Sequence, residues 1–187
     1  MVETKIVVGL GNPGREYAGT RHNMGFRVID GLSKSLEIKL GKKKFGGVFG
    51  LGEFADKRLI LFKPWRYMNL SGEPVATVMG FYKVGLDDLL VVADDMALEP
   101  GRIRIRAKGA SGGHNGLADV VRKLGTENVV RLRIGIGQCG NGDAVDYVLG
   151  KPGDDDWVPL DDAIGRAQDT VVCWIRHDIE TAMNRYN

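Results

Sequence analysis

The run Leu89-Leu90-Val91-Val92-Ala93 is apolar at every position, and no other feature constrains the fold as tightly. Five such residues show no alternation and are too few for a buried helix. They read as a central strand with both faces covered, which requires packed layers on either side of a sheet. Lys5–Leu10 gives a second buried strand, closed by the loop Gly11-Asn12-Pro13-Gly14. Gly47–Phe54 and Arg58–Phe62 read as a hairpin preceded by Lys42-Lys43-Lys44, and Val129–Gly135 as a further strand. Helices are expected over Asn23–Leu36, over Ser71–Tyr82 with Ser71 as N-cap, over His114–Leu124, and from Asp154 onward. Strands alternating with helices, plus one hairpin, predict a single α/β domain over residues 1–187. The expected architecture is a three-layer sandwich with a twisted, mixed β-sheet between helices.

Arg102-Ile103-Arg104-Ile105-Arg106 alternates strictly, so a strand here turns both isoleucines to the core and all three arginines to the other side. The surrounding charge is equally uneven. Residues 102–133 carry eight Lys/Arg against two acids, whereas residues 141–187 carry four against ten. Such an oriented field attracts a polyanion to its basic pole, so nucleic acid is the first partner to test. Nothing in the chain approaches the roughly 20 apolar residues that span a bilayer, and the N-terminus lacks the layout of a signal peptide. A cytoplasmic location without membrane contact is therefore expected. Cys139 and Cys173 have neither metal nor redox spacing and read as reduced structural thiols.

Gly9-Leu10-Gly11-Asn12-Pro13-Gly14 matches a dinucleotide-binding string, but Pro13 and Tyr17-Ala18-Gly19 keep the following chain irregular, and Asp30 falls within a helical pattern. That reading is declined. Chemistry is expected instead from four segments rich in amides, histidines and glycines: residues 11–14, 20–23, 68–72 and 112–116. Each lies where a strand or loop meets a helix, the usual location of ligand sites in open α/β sheets.

The strings VGLGNPG, TRHNMGF, MNLSG, SGGHNGL and RLRIGIG, followed by LGKP, occur in this order between Lys5 and Pro152. In order and spacing they resemble the bacterial peptidyl-tRNA hydrolase family. The resemblance implies hydrolysis of the ester between a peptide and tRNA, with His22 as general base and Asp94 as its partner. An imidazole titrates near neutrality, and a carboxylate on its second nitrogen fixes the tautomer, so neither metal, cofactor nor covalent intermediate is required. It further implies substrate contacts from Asn12, Tyr17, Met68, Asn69, His114 and Asn115, and a grip on terminal tRNA phosphates by Arg104, Arg106 and Arg133. The implied partner is peptidyl-tRNA alone, bound by a monomer. Ala93 and Ala97 stand where relatives often carry an aromatic or histidine and a second acid. Trp65 and Arg66 replace small polar residues. Two rival readings are a non-catalytic RNA-binding relative and a hydrolase of small esters. Release of tRNA in an activity assay would exclude the first, and tRNA binding would exclude the second.

Overall fold

The structure, a computed structural model, describes residues 2–140 and 142–187. Its strands are β1 (Thr4–Gly9), β2 (Lys42–Lys44), β3 (Gly47–Phe54), β4 (Lys57–Pro64), β5 (Leu89–Asp95), β6 (Ile103–Arg106) and β7 (Val130–Gly135). They form one seven-stranded sheet in the order β2-β3-β4-β1-β5-β7-β6. The four central strands, β4, β1, β5 and β7, run parallel, while β2, β3 and β6 are antiparallel to their neighbours. The sheet is mixed, as the sequence predicts. The expected hairpin is β3–β4, whose connecting residues Ala55 and Asp56 both have positive φ (51° and 59°). Both central residues of a tight hairpin turn adopt that hand because it matches the strand twist.

Helices cover both faces, and strand alternation sorts the core into two clusters. Val7, Leu90, Val92, Leu132 and Ile134 pack with α1 (Met24–Ser35), α5 (Asp154–Arg176) and α6 (Ile179–Tyr186). Ile6, Val8, Val91 and Ala93 pack with α2 (Gly72–Tyr82) and α3 (Asn115–Leu124). The uninterrupted apolar run of β5 is thus explained, since odd and even residues each meet a buried layer. β6 alternates as its sequence requires, with Ile103 and Ile105 buried and Arg104 and Arg106 exposed.

Four local expectations need correction. Ser71 stands at the N-terminus of α2 but donates its hydroxyl to Met68 O (2.7 Å). The capping is done from α3, where Asp119 accepts the Gly72 N–H at 2.7 Å. Gly72 permits this because its missing side chain lets the two helices touch backbone to backbone. Second, the lysine run 42–44 is itself the edge strand β2, paired with β3. Third, the C-terminal segment is two helices, because Asp178 caps a new helix by accepting the Thr181 N–H at 2.7 Å. Fourth, a short helix, α4 (Ala144–Leu149), precedes them; its N-cap Asp143 accepts from Val145 and Asp146.

Candidate active site

Because β4, β1, β5 and β7 are parallel, their carboxyl ends lie on one edge, and the loops leaving them converge there. Asn12 follows β1, Asp94 and Asp95 end β5, Met68 and Asn69 follow β4, and His114 precedes α3. His22 sits on a short 3-10 turn leading into α1. That turn is held close to the sheet by Gly25, where a Cβ would lie 2.5 Å from both Leu10 N and Val92 O. Only glycine lets the start of α1 rest on the backbones of β1 and β5, which brings His22 over the end of β5.

Alternation along β5 decides which of the two adjacent acids meets the histidine. Asp94 shares the parity of Leu90 and Val92 and turns toward the α1 layer. Its Oδ1 lies 2.8 Å from His22 Nδ1 and 2.9 Å from His114 Nε2. Both rings therefore meet one buried carboxylate oxygen, with their centroids 4.9 Å apart. Asp95 has the opposite parity and a different task. It pairs with Arg133 at 3.0 Å and accepts the Ala97 N–H at 2.8 Å.

The tautomers follow from the remaining contacts. His114 is the N-cap of α3, and its Nδ1 accepts the Leu117 N–H at 3.1 Å. That nitrogen cannot also carry a proton, so Nε2–H is the group that donates to Asp94. An ionised Asp94 offers only acceptors, so His22 must donate from Nδ1, leaving Nε2 as a free lone pair. His22 Nε2 makes no protein hydrogen bond among the described residues and opens into the cleft that His22 lines. Burial is the largest influence on Asp94 and by itself would raise its pKa. The attraction and hydrogen bonds of His114 and His22 outweigh it, holding the carboxyl well below the usual carboxylate range.

Asn12 is clasped from two sides. Asn23 accepts the Asn12 N–H at 2.8 Å and returns its own Nδ2–H to the Asn12 carbonyl at 3.0 Å. The Asn12 side-chain oxygen accepts the Met68 N–H at 2.8 Å, tying the loop after β4 to the loop after β1. With its oxygen so used, the amide keeps its Nδ2 donors free of protein partners among the described residues. Asn69 and Asn115 are exposed, Met68 is buried, and Tyr17 is half-buried on the rim segment 15–17. The cleft, about 610 Å³, is lined by His22, Asp94, His114 and Asn115 and walled by Met96, Leu117, Val145 and Val148. Asn12, Tyr17, Met68 and Asn69 are not among its lining residues, so the expected site divides between the cleft and its approach.

The arginines divide as well. Arg104 on β6 lies opposite Arg133 on β7, and Arg106 opposite Arg131. Arg104 and Arg106 are exposed, whereas Arg133 pairs with Asp95 and donates to Ala110 O at 2.5 Å. Arg131, which sequence reading left without a role, is buried and donates to the carbonyls of Val129, Gly109, Ala110 and Glu127. It anchors the segment leading to His114. Arg21, also missed, donates to Lys151 O and Asp156 and stacks on Tyr147, which docks α4 beside His22.

His22, Asp94 and His114 also form a group whose ligand-capable atoms lie within 4.8 Å of one another. Tetrahedral zinc with ligands at about 2.0–2.2 Å needs them roughly 3.4 Å apart. Here the histidine nitrogens contact Asp94 at hydrogen-bond distance, and the Nε2 of His114 carries a proton. In this arrangement the three groups satisfy one another by hydrogen bonding.

Residues 6–187 match the family model described as peptidyl-tRNA hydrolase. The chain is 48% identical over 182 residues to a peptidyl-tRNA hydrolase of Caldanaerobacter subterraneus subsp. tengcongensis, covering 97% of this chain and 98% of the relative. A Geobacillus kaustophilus peptidyl-tRNA hydrolase is 46% identical, with 98% and 99% covered. The crystal structure of the Acinetobacter baumannii peptidyl-tRNA hydrolase superposes with a TM-score of 0.94 at 38% identity, covering 100% of this chain and 96% of that one.

Proposed function

The chain belongs to the peptidyl-tRNA hydrolase family and hydrolyses peptidyl-tRNA, and we propose that His22 is the general base of that reaction, oriented by Asp94. The observation that carries this is the 2.8 Å contact between His22 Nδ1 and Asp94 Oδ1, which leaves Nε2 open to the cleft. Nε2 takes a proton from water, and the resulting hydroxide attacks the acyl carbon of the ester. Negative charge then develops on the former carbonyl oxygen, where amide N–H donors of Asn12 and Asn69 stabilise it without themselves ionising. When the intermediate collapses, the bond between the acyl carbon and the ribose oxygen breaks. The imidazolium returns its proton to that oxygen, releasing peptide acid and free tRNA.

Asp94 stabilises the imidazolium during this cycle, and its depressed pKa keeps it ionised throughout the neutral range. His114, held by Leu117 and Asp94, turns its neighbour Asn115 toward the peptide side of the cleft. Met68 and Tyr17 contribute contact surface near the scissile ester. The protein works in the cytoplasm, where translation supplies its substrate, as a monomer with one complete histidine–aspartate cluster per chain. No helix of the described residues is long and apolar enough to cross a membrane. Incubation with an N-blocked aminoacyl-tRNA tests the catalytic reading. Wild-type protein should release tRNA, whereas no release would refute it.

Because the histidines and Asp94 satisfy one another, exhaustive dialysis against EDTA should leave turnover unchanged. Loss of activity restored specifically by zinc would overturn the proposed role of water activated by His22 alone. We further assign Arg104 and Arg106, exposed on the edge strand, to the terminal tRNA phosphates, together with Arg133 opposite Arg104 on the adjacent strand. A guanidinium offers phosphate two parallel hydrogen bonds, which suits positioning more than base readout. Each phosphate contact releases counterions, so Arg106→Ala should reduce the slope of log affinity against log salt by about 0.9 on duplex RNA. An unchanged slope in filter binding would show that Arg106 only solvates the strand.

A further inference from the structure

Trp65 and Arg66 belong to none of the machinery described so far, yet they stand beside it. Trp65 is 48% exposed, a large apolar area to leave in water without a use. One indole face lies parallel to Phe26, with centroids 6.2 Å apart and planes within 3°. The Phe26 ring in turn covers Gly11, where a Cβ would meet it at 2.6 Å, and Gly11 precedes the active-site Asn12. A single intervening ring therefore separates the exposed indole from the loop that carries Asn12. The Trp65 backbone N–H donates to Gly46 O at 2.8 Å, drawing the 65–67 segment against the β2–β3 turn.

That contact closes a groove of about 630 Å³, lined by Lys43, Lys44, Trp65 and Arg66 over a floor of Gly46, Gly47 and Val48. Three cations and no acid face it, and none of the three cations has a carboxylate partner among the described residues. Lysines on an edge strand also discourage strand-to-strand aggregation, which accounts for Lys43 and Lys44. It does not account for Arg66 and Trp65, which arrive from a different segment and converge on the same groove.

Lys44 Nζ stands over the Phe81 ring at 4.3 Å, which leaves Lys43 and Arg66 as the cations without a partner. Such cations beside an open aromatic face suit a ligand that alternates flat bases with phosphates, which is a single-stranded nucleic acid. The peptide has a better-matched place across His22, where Met96, Leu117, Val145 and Val148 make an apolar wall. We infer that the Trp65–Arg66 groove binds the unpaired 3′ nucleotides of the tRNA, with Trp65 stacking a base and Arg66 and Lys43 holding phosphates. This deepens the proposed function, because it rests on the tRNA 3′ end reaching the cleft past Asn69.

The test uses binding, not hydrolysis, so its failure is distinguishable from failure of the catalytic reading. Affinity is measured for deacylated tRNA and for the same tRNA trimmed of its last three nucleotides. Wild-type protein should lose affinity on trimming. Trp65→Ala should weaken binding of intact tRNA by about 5- to 150-fold, the range for one base–aromatic stack, and should then be far less sensitive to trimming. Trp65→Phe, which keeps an aromatic face and the packing on Phe26, should restore most of the affinity. Arg66→Ala should reduce the salt slope for intact tRNA by about 0.7, the single-strand value. Equal trimming penalties in wild type and Trp65→Ala would overturn the assignment. So would substitutions that weaken an N-acetylated dipeptide amide while leaving tRNA affinity intact, an outcome that gives the groove to the peptide.

Discussion

His22→Ala is expected to lower turnover of N-blocked aminoacyl-tRNA by about 10²- to 10⁴-fold, the contribution of a positioned general base, while tRNA affinity persists. The magnitude follows from how fully the ring is prepared. Its Nδ1 is held by Asp94 at 2.8 Å, and the ring is buried except where Nε2 meets the cleft, so no other described group can take the water proton from the same position. His114 is near enough in space, but its Nδ1 is occupied by Leu117 N–H and its Nε2–H by Asp94. It therefore cannot substitute without breaking the cap of α3. Burst and steady-state release of labelled tRNA measure the effect, and a filter assay measures binding. Near-normal turnover would sink the mechanism. Loss of binding in parallel with turnover would mean that His22 holds substrate and does not transfer protons.

Much of the scaffold could be read before any coordinates because its signals are local. The unbroken apolar run of β5, the alternation of β6 and the glycine-bearing loops after β1 and β4 each declare themselves within a few residues. The same locality explains what was missed. Ser71 has the residue type of an N-cap, but the acceptor that serves α2 is Asp119, which takes the N–H of Gly72 from 47 positions away and from another helix. The clasp of Asn23 on Asn12, the hold of Arg131 on residues 109 and 110, and the Arg21 contacts that dock α4 are all set by tertiary proximity. In the site, the resemblance pointed to Asp94, and the folded sheet supplies the physical reason it differs from Asp95, since it shares a face with Leu90 and Val92. That His114 spends one nitrogen on a helix cap, and so must give Asp94 a proton, could be learned only from the folded chain.

That shared oxygen makes Asp94→Asn the most diagnostic substitution, with an expected loss of turnover of about 10² or more. In the wild type a single ionised oxygen accepts from two imidazoles, and with only acceptors to offer it forces both rings to present N–H groups. An asparagine side chain has one acceptor oxygen and one donor nitrogen. If its nitrogen turns toward the rings, His22 must accept through Nδ1, which puts the proton on Nε2 and removes the base from the cleft. If its oxygen stays, the tautomer survives but the negative charge that stabilises the imidazolium is gone. Either arrangement slows the step in which His22 is positively charged. The pH profile separates this electrostatic role from a merely structural one. Asp94 is held well below the usual carboxylate range by the two histidines against the opposing effect of burial. It therefore stays ionised across the whole assay window, and its own protonation does not shape the profile there. Removing the charge at position 94 destabilises a positively charged ring beside it, so the acid limb of Asp94→Asn should move to lower pH while the plateau falls. A lowered plateau with an unmoved limb would show that Asp94 only positions the ring. An unaltered plateau would show that another group orients His22.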